Sequence, residues 1–99
     1  MKKVALIGYG AIAKIAIQKI YEHDKKDDIK IVGVLVRKNR LKESKKALKQ
    51  TIPAVTKIEE LIKLSPNVIA ECAGQEAVSE YGAAVLSSGI NFIVISTGA

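Results

Sequence analysis

The stretch Val4-Ala5-Leu6-Ile7-Gly8-Tyr9-Gly10-Ala11-Ile12-Ala13 decides the fold. A short apolar strand runs into a glycine turn, and the turn runs straight into a helix. In the pattern G-x-G-x-x-G/A each small residue has a physical task. Gly8 permits the tight turn off the strand. Gly10 has no Cβ, so a pyrophosphate can approach the backbone. Ala13 stands where the helix must pack close to the strand. The free N–H groups of the helix start, at the positive end of its dipole, then face the phosphates. The alternative is a glycine turn with only a structural role. The position of the motif, after a strand and before a helix, favours dinucleotide binding.

The rest of the chain supplies the remainder of such a unit. Lys3 to Ile7 reads as the first strand, and a helix follows from about Ala11 to Tyr21, with Ile12, Ala16 and Ile20 on one face and Ile15 beside them. His23, the single histidine, and Asp24 close it. Without a ligand cluster around it, His23 reads as a solvated helix-end residue, and no metal site is expected. Ile29 to Val36 is a second strand, apolar from Ile31 except at Gly33, as suits a parallel strand covered on both faces. A second helix spans about Leu41 to Lys49, with Leu41, Ser44 and Leu48 inward. Ile52 to Val55 is a short strand placed at an edge by Pro53.

Thr56 and Glu59 have capping-box spacing ahead of a short third helix that stops before Ser65-Pro66. Val68 to Cys72 is the fourth strand and Gly74 the next turn. A fourth helix from Gln75 to Ser87 turns Val78, Tyr81, Gly82, Val85 and Leu86 to one side, and Gly89 stops it. Asn91 to Ile95 is the fifth strand. The alternation gives an α/β fold: a Rossmann-type doubly wound parallel sheet of about five strands, in order 3-2-1-4-5, with helices on both faces.

Composition narrows the classes of function. The chain has 99 residues, 48% hydrophobic and 26% charged, which makes one globular domain. A single cysteine excludes an internal disulfide and fits a reducing cytoplasm. The formal charge of +6 admits nucleic acid, an acidic membrane surface or an anionic small ligand. Aromatic residues, at 4%, give no stacking platform, so no nucleic-acid partner is expected. Lys2 and Lys3 before an apolar run, with Ala11-Ile12-Ala13 behind it, imitate a secretion signal. The run is too short, and is broken by Gly8 and Gly10. No segment reaches the roughly 20 apolar residues of a membrane span.

In an open parallel sheet, ligands bind beyond the carboxyl ends of the strands. That rule selects 8–12, 36–40, 72–75 and 96–99. Cys72 reads as a small packing residue, since no histidine is near to activate it. Glu71 points to the opposite face, as a solvent-edge residue or a partner of a helix N-terminus. The second strand ends in Val36-Arg37-Lys38-Asn39-Arg40, with no acid to hold the ribose hydroxyls of NAD. Arg37 and Arg40 could pair with a 2′-phosphate, so the cofactor is NADP or NAD, with NADP bound at least as well.

Glu71-Cys72-Ala73-Gly74-Gln75-Glu76-Ala77-Val78-Ser79-Glu80-Tyr81 resembles the L-aspartate dehydrogenase family. Ile93-Val94-Ile95-Ser96-Thr97-Gly98-Ala99 is similar to that family's loop after the fifth strand. With the glycine turn, three motifs stand in the right order over most of the chain. Homoserine dehydrogenase and dihydrodipicolinate reductase share the turn and architecture but match the Glu71-Cys72-Ala73 segment less well.

The resemblance implies oxidation of L-aspartate at its α-carbon, with hydride passing to the nicotinamide. The product iminoaspartate would feed NAD biosynthesis or yield oxaloacetate and ammonia. The resemblance also implies that Ala11, Ile12, Cys72, Ala73 and Ala99 lie against the cofactor. The family's catalytic histidine and substrate residues sit in a C-terminal domain, and His23 does not match them. Residues 1–99 are therefore expected to be a cofactor domain without catalytic residues, inactive alone and meeting a small-molecule substrate only with that further domain. A stand-alone NAD(P)-binding regulatory module and the cofactor domain of a homoserine dehydrogenase-like enzyme are the alternatives. Whether the protein forms a homo-oligomer is left open.

Overall fold

Apolar runs separated by short polar turns pair side by side, and the computed structural model describes this pairing for residues 2–22, 28–48 and 51–95. The elements are β1 (Lys2–Ile7), α1 (Ala11–Glu22), β2 (Ile29–Leu35), a 3₁₀ turn (Lys38–Arg40), α2 (Leu41–Leu48), β3 (Ala54–Val55), α3 (Ile58–Ile62), β4 (Val68–Glu71), α4 (Gln75–Ser87) and β5 (Asn91–Val94). The five strands form one sheet in the expected order, β3-β2-β1-β4-β5, and every pair is parallel. His23, Asp24, Lys49 and the end from Ser96 to Ala99 lie outside the described residues.

Strand alternation sends side chains to two cores. On one face Leu6, Val34, Val36 and Ala70 meet Ala13 and Ile17 of α1 and Leu48 of α2. On the other, Ala5, Ile7, Leu35 and Ile69 meet Ile58 and Leu61 of α3 and Ala77 and Val85 of α4. Each fully buried aliphatic side chain contributes roughly 1.5–3 kcal/mol, so both layers are needed to hold so short a chain.

Several expectations shift for physical reasons. β3 begins at Ala54 because Pro53 has no N–H to give; its carbonyl instead accepts from Val34 N at 2.9 Å. Val36, Cys72 and Ile95 lie one residue beyond their strands, yet each still donates its N–H to a neighbouring strand. The capping box does not form. Lys57 is the N-cap of α3, with no side-chain bond, so the helix starts one residue too late for the Thr56 hydroxyl. In α1 the close approach of Ala13 fixes the helix's rotation. Ala13 and Ile17 are buried and Ile15 faces outward, while the side chains of Ile12 and Ile20 lie outside the described set. Leu86, expected inward on α4, is 65% exposed.

β2 also carries a bulge that its apolar run conceals. Val4 pairs with Ile31 but Ala5 with Gly33, leaving Val32 as the extra residue. Two consecutive residues then face the same layer. Val32 packs on the α3 side, and a Cβ on Gly33 would collide there with Leu64 Cδ1. A bulge needs this kind of close approach, and glycine supplies it. Among the described residues, no helix is long and apolar enough to cross a membrane.

Candidate dinucleotide site

The site is built where β1, β2 and β4 end together. Gly8 N donates to Leu35 O at 2.7 Å, and Cys72 N donates to Ile7 O at 2.9 Å, so the turns after β1 and β4 leave from adjacent points. Gly8 has φ +94°, a conformation that favours glycine, and a Cβ there would lie 2.8 Å from Ala73 Cβ. The two turns touch, and only the missing side chain allows it. Gly10 differs: a Cβ there would meet nothing within 4 Å. Space lies open over its backbone, as an approaching pyrophosphate requires. Gly10 O accepts from Lys14 N at 3.0 Å and so starts α1. The first turn of α1 holds no acidic residue to compete for the unpaired N–H groups.

Glu71 sets the opposite wall. It is fully buried, not at a solvent edge, and its Oε2 accepts from Ala73 N at 2.6 Å and also from Gly74 N. Of the two expected roles, the helix-N-terminus partner is the observed one. Gly74, at φ +133°, is the N-cap of α4 and has no side chain to cap with. The buried carboxylate, from the preceding strand, holds the N–H of this N-cap and of the residue before it.

A cleft of about 420 Å³ opens between these turns and β2. It brings together Gly8, Gly10, Arg37, Arg40, Cys72 and Ala73. Ala11 is exposed at the first position of α1, beside the cleft rather than on its wall. The side chain of Ile12 and the whole of Ala99 lie outside the described residues. Tyr9, Lys14, Ser44, Glu80 and Tyr81 also line the cleft without having been singled out from sequence. Lys14 had a legible signal, one helical turn after Gly10. Its Nζ lies 5.3 Å from the Tyr9 ring centroid, a cation–π contact beside the glycine turn.

Both arginines at the cleft have a carboxylate within ion-pair range. Arg37 Nη2 lies 3.7 Å from Glu76 Oε2, and Arg40 Nη1 lies 3.6 Å from Glu43 Oε2. Cys72 is buried, with its Sγ directed at Ala70 O. Burial first, and the neighbouring Glu71 charge second, push its thiol above the ordinary range, which suits packing and not nucleophilic attack. Desolvation, followed by a hydrogen bond with Glu80, likewise raises Tyr81, with Arg37 opposing. Among the described residues, no group of His, Cys, Asp or Glu could hold a metal ion.

A glycine turn feeding an open helix start, at the switch point of a 3-2-1-4-5 parallel sheet, defines a dinucleotide-binding domain of the Rossmann class. The fold superposes on a dipicolinate-bound dihydrodipicolinate reductase from Paenisporosarcina sp. TG-14 with a TM-score of 0.75 at 19% identity, covering 99% of this chain and 38% of that one. A dehydrogenase from Chromobacterium violaceum gives 0.74 at 20% identity, covering 95% of this chain and 27% of that one. The family model described as homoserine dehydrogenase, NAD binding domain, matches residues 8–99, and the chain belongs to that family of NAD(P)-binding domains.

Among individual proteins, the L-aspartate dehydrogenase of Serratia proteamaculans is 33% identical over 99 residues, covering 100% of this chain and 35% of that protein. The L-aspartate dehydrogenase of Archaeoglobus fulgidus is 34% identical over 97 residues, covering 97% and 35%. The chain thus spans about a third of the length of these curated relatives.

Proposed function

We propose that residues 1–99 are the cofactor domain of a longer NAD(P)-dependent dehydrogenase that oxidises L-aspartate. The observation that carries this reading is the segment from Glu71 to Tyr81. Its start forms the turn at the cleft floor, its end lines the cleft wall, and the whole chain around it is 33% identical to an L-aspartate dehydrogenase. Gly8, Gly10, Ala11 and Ile12 would receive the pyrophosphate, with the unpaired N–H groups of α1 as donors. Cys72, Ala73 and Ala99 would lie against the cofactor. The nicotinamide, when bound, accepts the hydride. The groups that hold and deprotonate the substrate would come from a further domain. Work in the reducing cytoplasm, and supply of iminoaspartate to NAD biosynthesis, belong to the same proposal.

The test is turnover by the complete gene product that contains this sequence, followed as reduced cofactor with L-aspartate and, separately, with L-homoserine. Protein-dependent reduction with aspartate is expected. Reduction with homoserine alone would replace this reading by the homoserine dehydrogenase-like alternative, which the family model also fits.

The cofactor choice is proposed as NADP at least as readily as NAD, because Arg37 and Arg40 line the cleft where β2 ends without an acid. A charge-assisted bond from arginine to phosphate contributes about 1.5–3 kcal/mol. Arg37→Ala should therefore weaken NADP⁺ binding roughly ten- to a hundredfold and leave NAD⁺ nearly unchanged, measured by calorimetric titration of this chain. Tenfold tighter binding of NAD⁺ by the wild type would remove the 2′-phosphate pocket.

A further inference from the structure

The end of β2 has no acid of its own, but an acid reaches it from the other side of the cleft. Arg37 follows β2 closely, and its ion-pair partner Glu76 belongs to the first turn of α4. Glu80 and Tyr81, one turn further along α4, line the same cleft as Arg37. The pair therefore joins the two walls at the cleft mouth. We propose that Glu76 sets how far the cleft discriminates between NADP and NAD, by holding Arg37 and by opposing a 2′-phosphate placed beside it. This rests on the reading of Arg37 as a 2′-phosphate residue.

The energetics favour exchange over a fixed lock. At 3.7 Å, with side chains 77% and 91% exposed, the pair is weak and screened by water. A 2′-phosphate carries between one and two negative charges and three strong acceptor oxygens, so it displaces a single carboxylate from a guanidinium. The backbone that carries Glu76 stays in place afterwards. The start of α4 is fixed by Gly74, whose N–H is held by the buried Glu71. The displaced carboxylate remains within one side-chain length of the phosphate as a like charge, screened by water. With NAD there is no phosphate to repel, and a carboxylate can accept from ribose hydroxyls. NAD-preferring domains place that acid at the end of the second strand. Here it would come from the facing helix. Arg40 takes its carboxylate from Glu43 on α2, so its pairing is local and does not cross the cleft.

The experiment measures dissociation constants of NADP⁺ and NAD⁺ for this chain as wild type, Glu76→Gln and Arg37→Ala, with circular dichroism as the fold control. Glu76→Gln should tighten NADP⁺ about two- to fivefold at low salt, as expected for an exposed pair, and less at moderate salt. NAD⁺ should be unchanged or weaker. If Arg37→Ala weakens NADP⁺ but Glu76→Gln leaves the ratio of the NADP⁺ to the NAD⁺ dissociation constant unchanged or raises it, the role of Glu76 fails and the phosphate pocket stands. If Arg37→Ala leaves NADP⁺ unchanged, the pocket reading itself fails and the role of Glu76 with it.

Discussion

The two strand ends that frame the cleft are held in opposite ways. At β4 the carboxylate of Glu71 is fully buried and bonded to backbone N–H groups of the turn it precedes. At β2 the arginines are exposed and each meets a carboxylate at the edge of ion-pair range. The first arrangement is worth kilocalories, because one buried carboxylate accepts two charge-assisted bonds from part-buried N–H groups. The second contributes little to folding, because water and salt replace it. The contrast separates two tasks. The cleft floor is set by buried backbone geometry, while the proposed choice between two nearly identical cofactors would rest on weak, exchangeable surface charges.

Breaking the buried side should have the largest effect. Glu71→Leu removes the acceptor of Ala73 N–H and Gly74 N–H, and is expected to cost about 2–5 kcal/mol in urea unfolding. Unfolding at the wild-type urea midpoint would show that the β4 end is no more firmly held than the β2 end.

Next in size is Gly10→Val, which has no neighbour to strike within the protein. Stability should stay within about 1 kcal/mol, while cofactor affinity falls roughly ten- to a hundredfold from overpacking against the pyrophosphate. Unchanged affinity in a calorimetric titration would move the phosphate site away from α1.

The smallest effect concerns Cys72. Its raised thiol should label about tenfold more slowly than the thiol of the denatured chain near pH 8, where ordinary thiols begin to ionise. The sign for stability follows. The folded state keeps the proton longer than the unfolded state, so this contribution is fully present below the unfolded thiol's range and is lost as pH rises through the folded one. Labelling at the denatured rate would place Cys72 outside the buried floor.

Much of this plan is legible in the sequence, for identifiable reasons. The strand order follows from alternation and from the glycine turn after β1, both local patterns. The cleft follows because parallel strands bring their carboxyl ends to one edge, which gathers Gly8, Gly10, Arg37, Arg40, Cys72 and Ala73. What stayed hidden depends on partners distant in sequence or on backbone groups that carry no letter. Glu71 looks like an ordinary strand-end acid until the N–H groups that hold it are seen. Val32 and Gly33 sit in an unbroken apolar run, and only pairing with β1 reveals the extra residue. Arg37 and Glu76 meet only because β2 and α4 face one another across the cleft.

The contact between Gly8 and Ala73 has a consequence for the heat and entropy of binding. With no room for even one methyl group between the turns after β1 and β4, neither loop can shift toward the other. A ligand arriving over Gly10 finds that floor already ordered, and the conformational entropy of arranging it was lost during folding. What remains to be ordered on binding is the arginine side of the cleft. The thermodynamic signature of the cofactor should therefore come largely from two long side chains and the ligand itself, with little from the loops proposed to hold its phosphates.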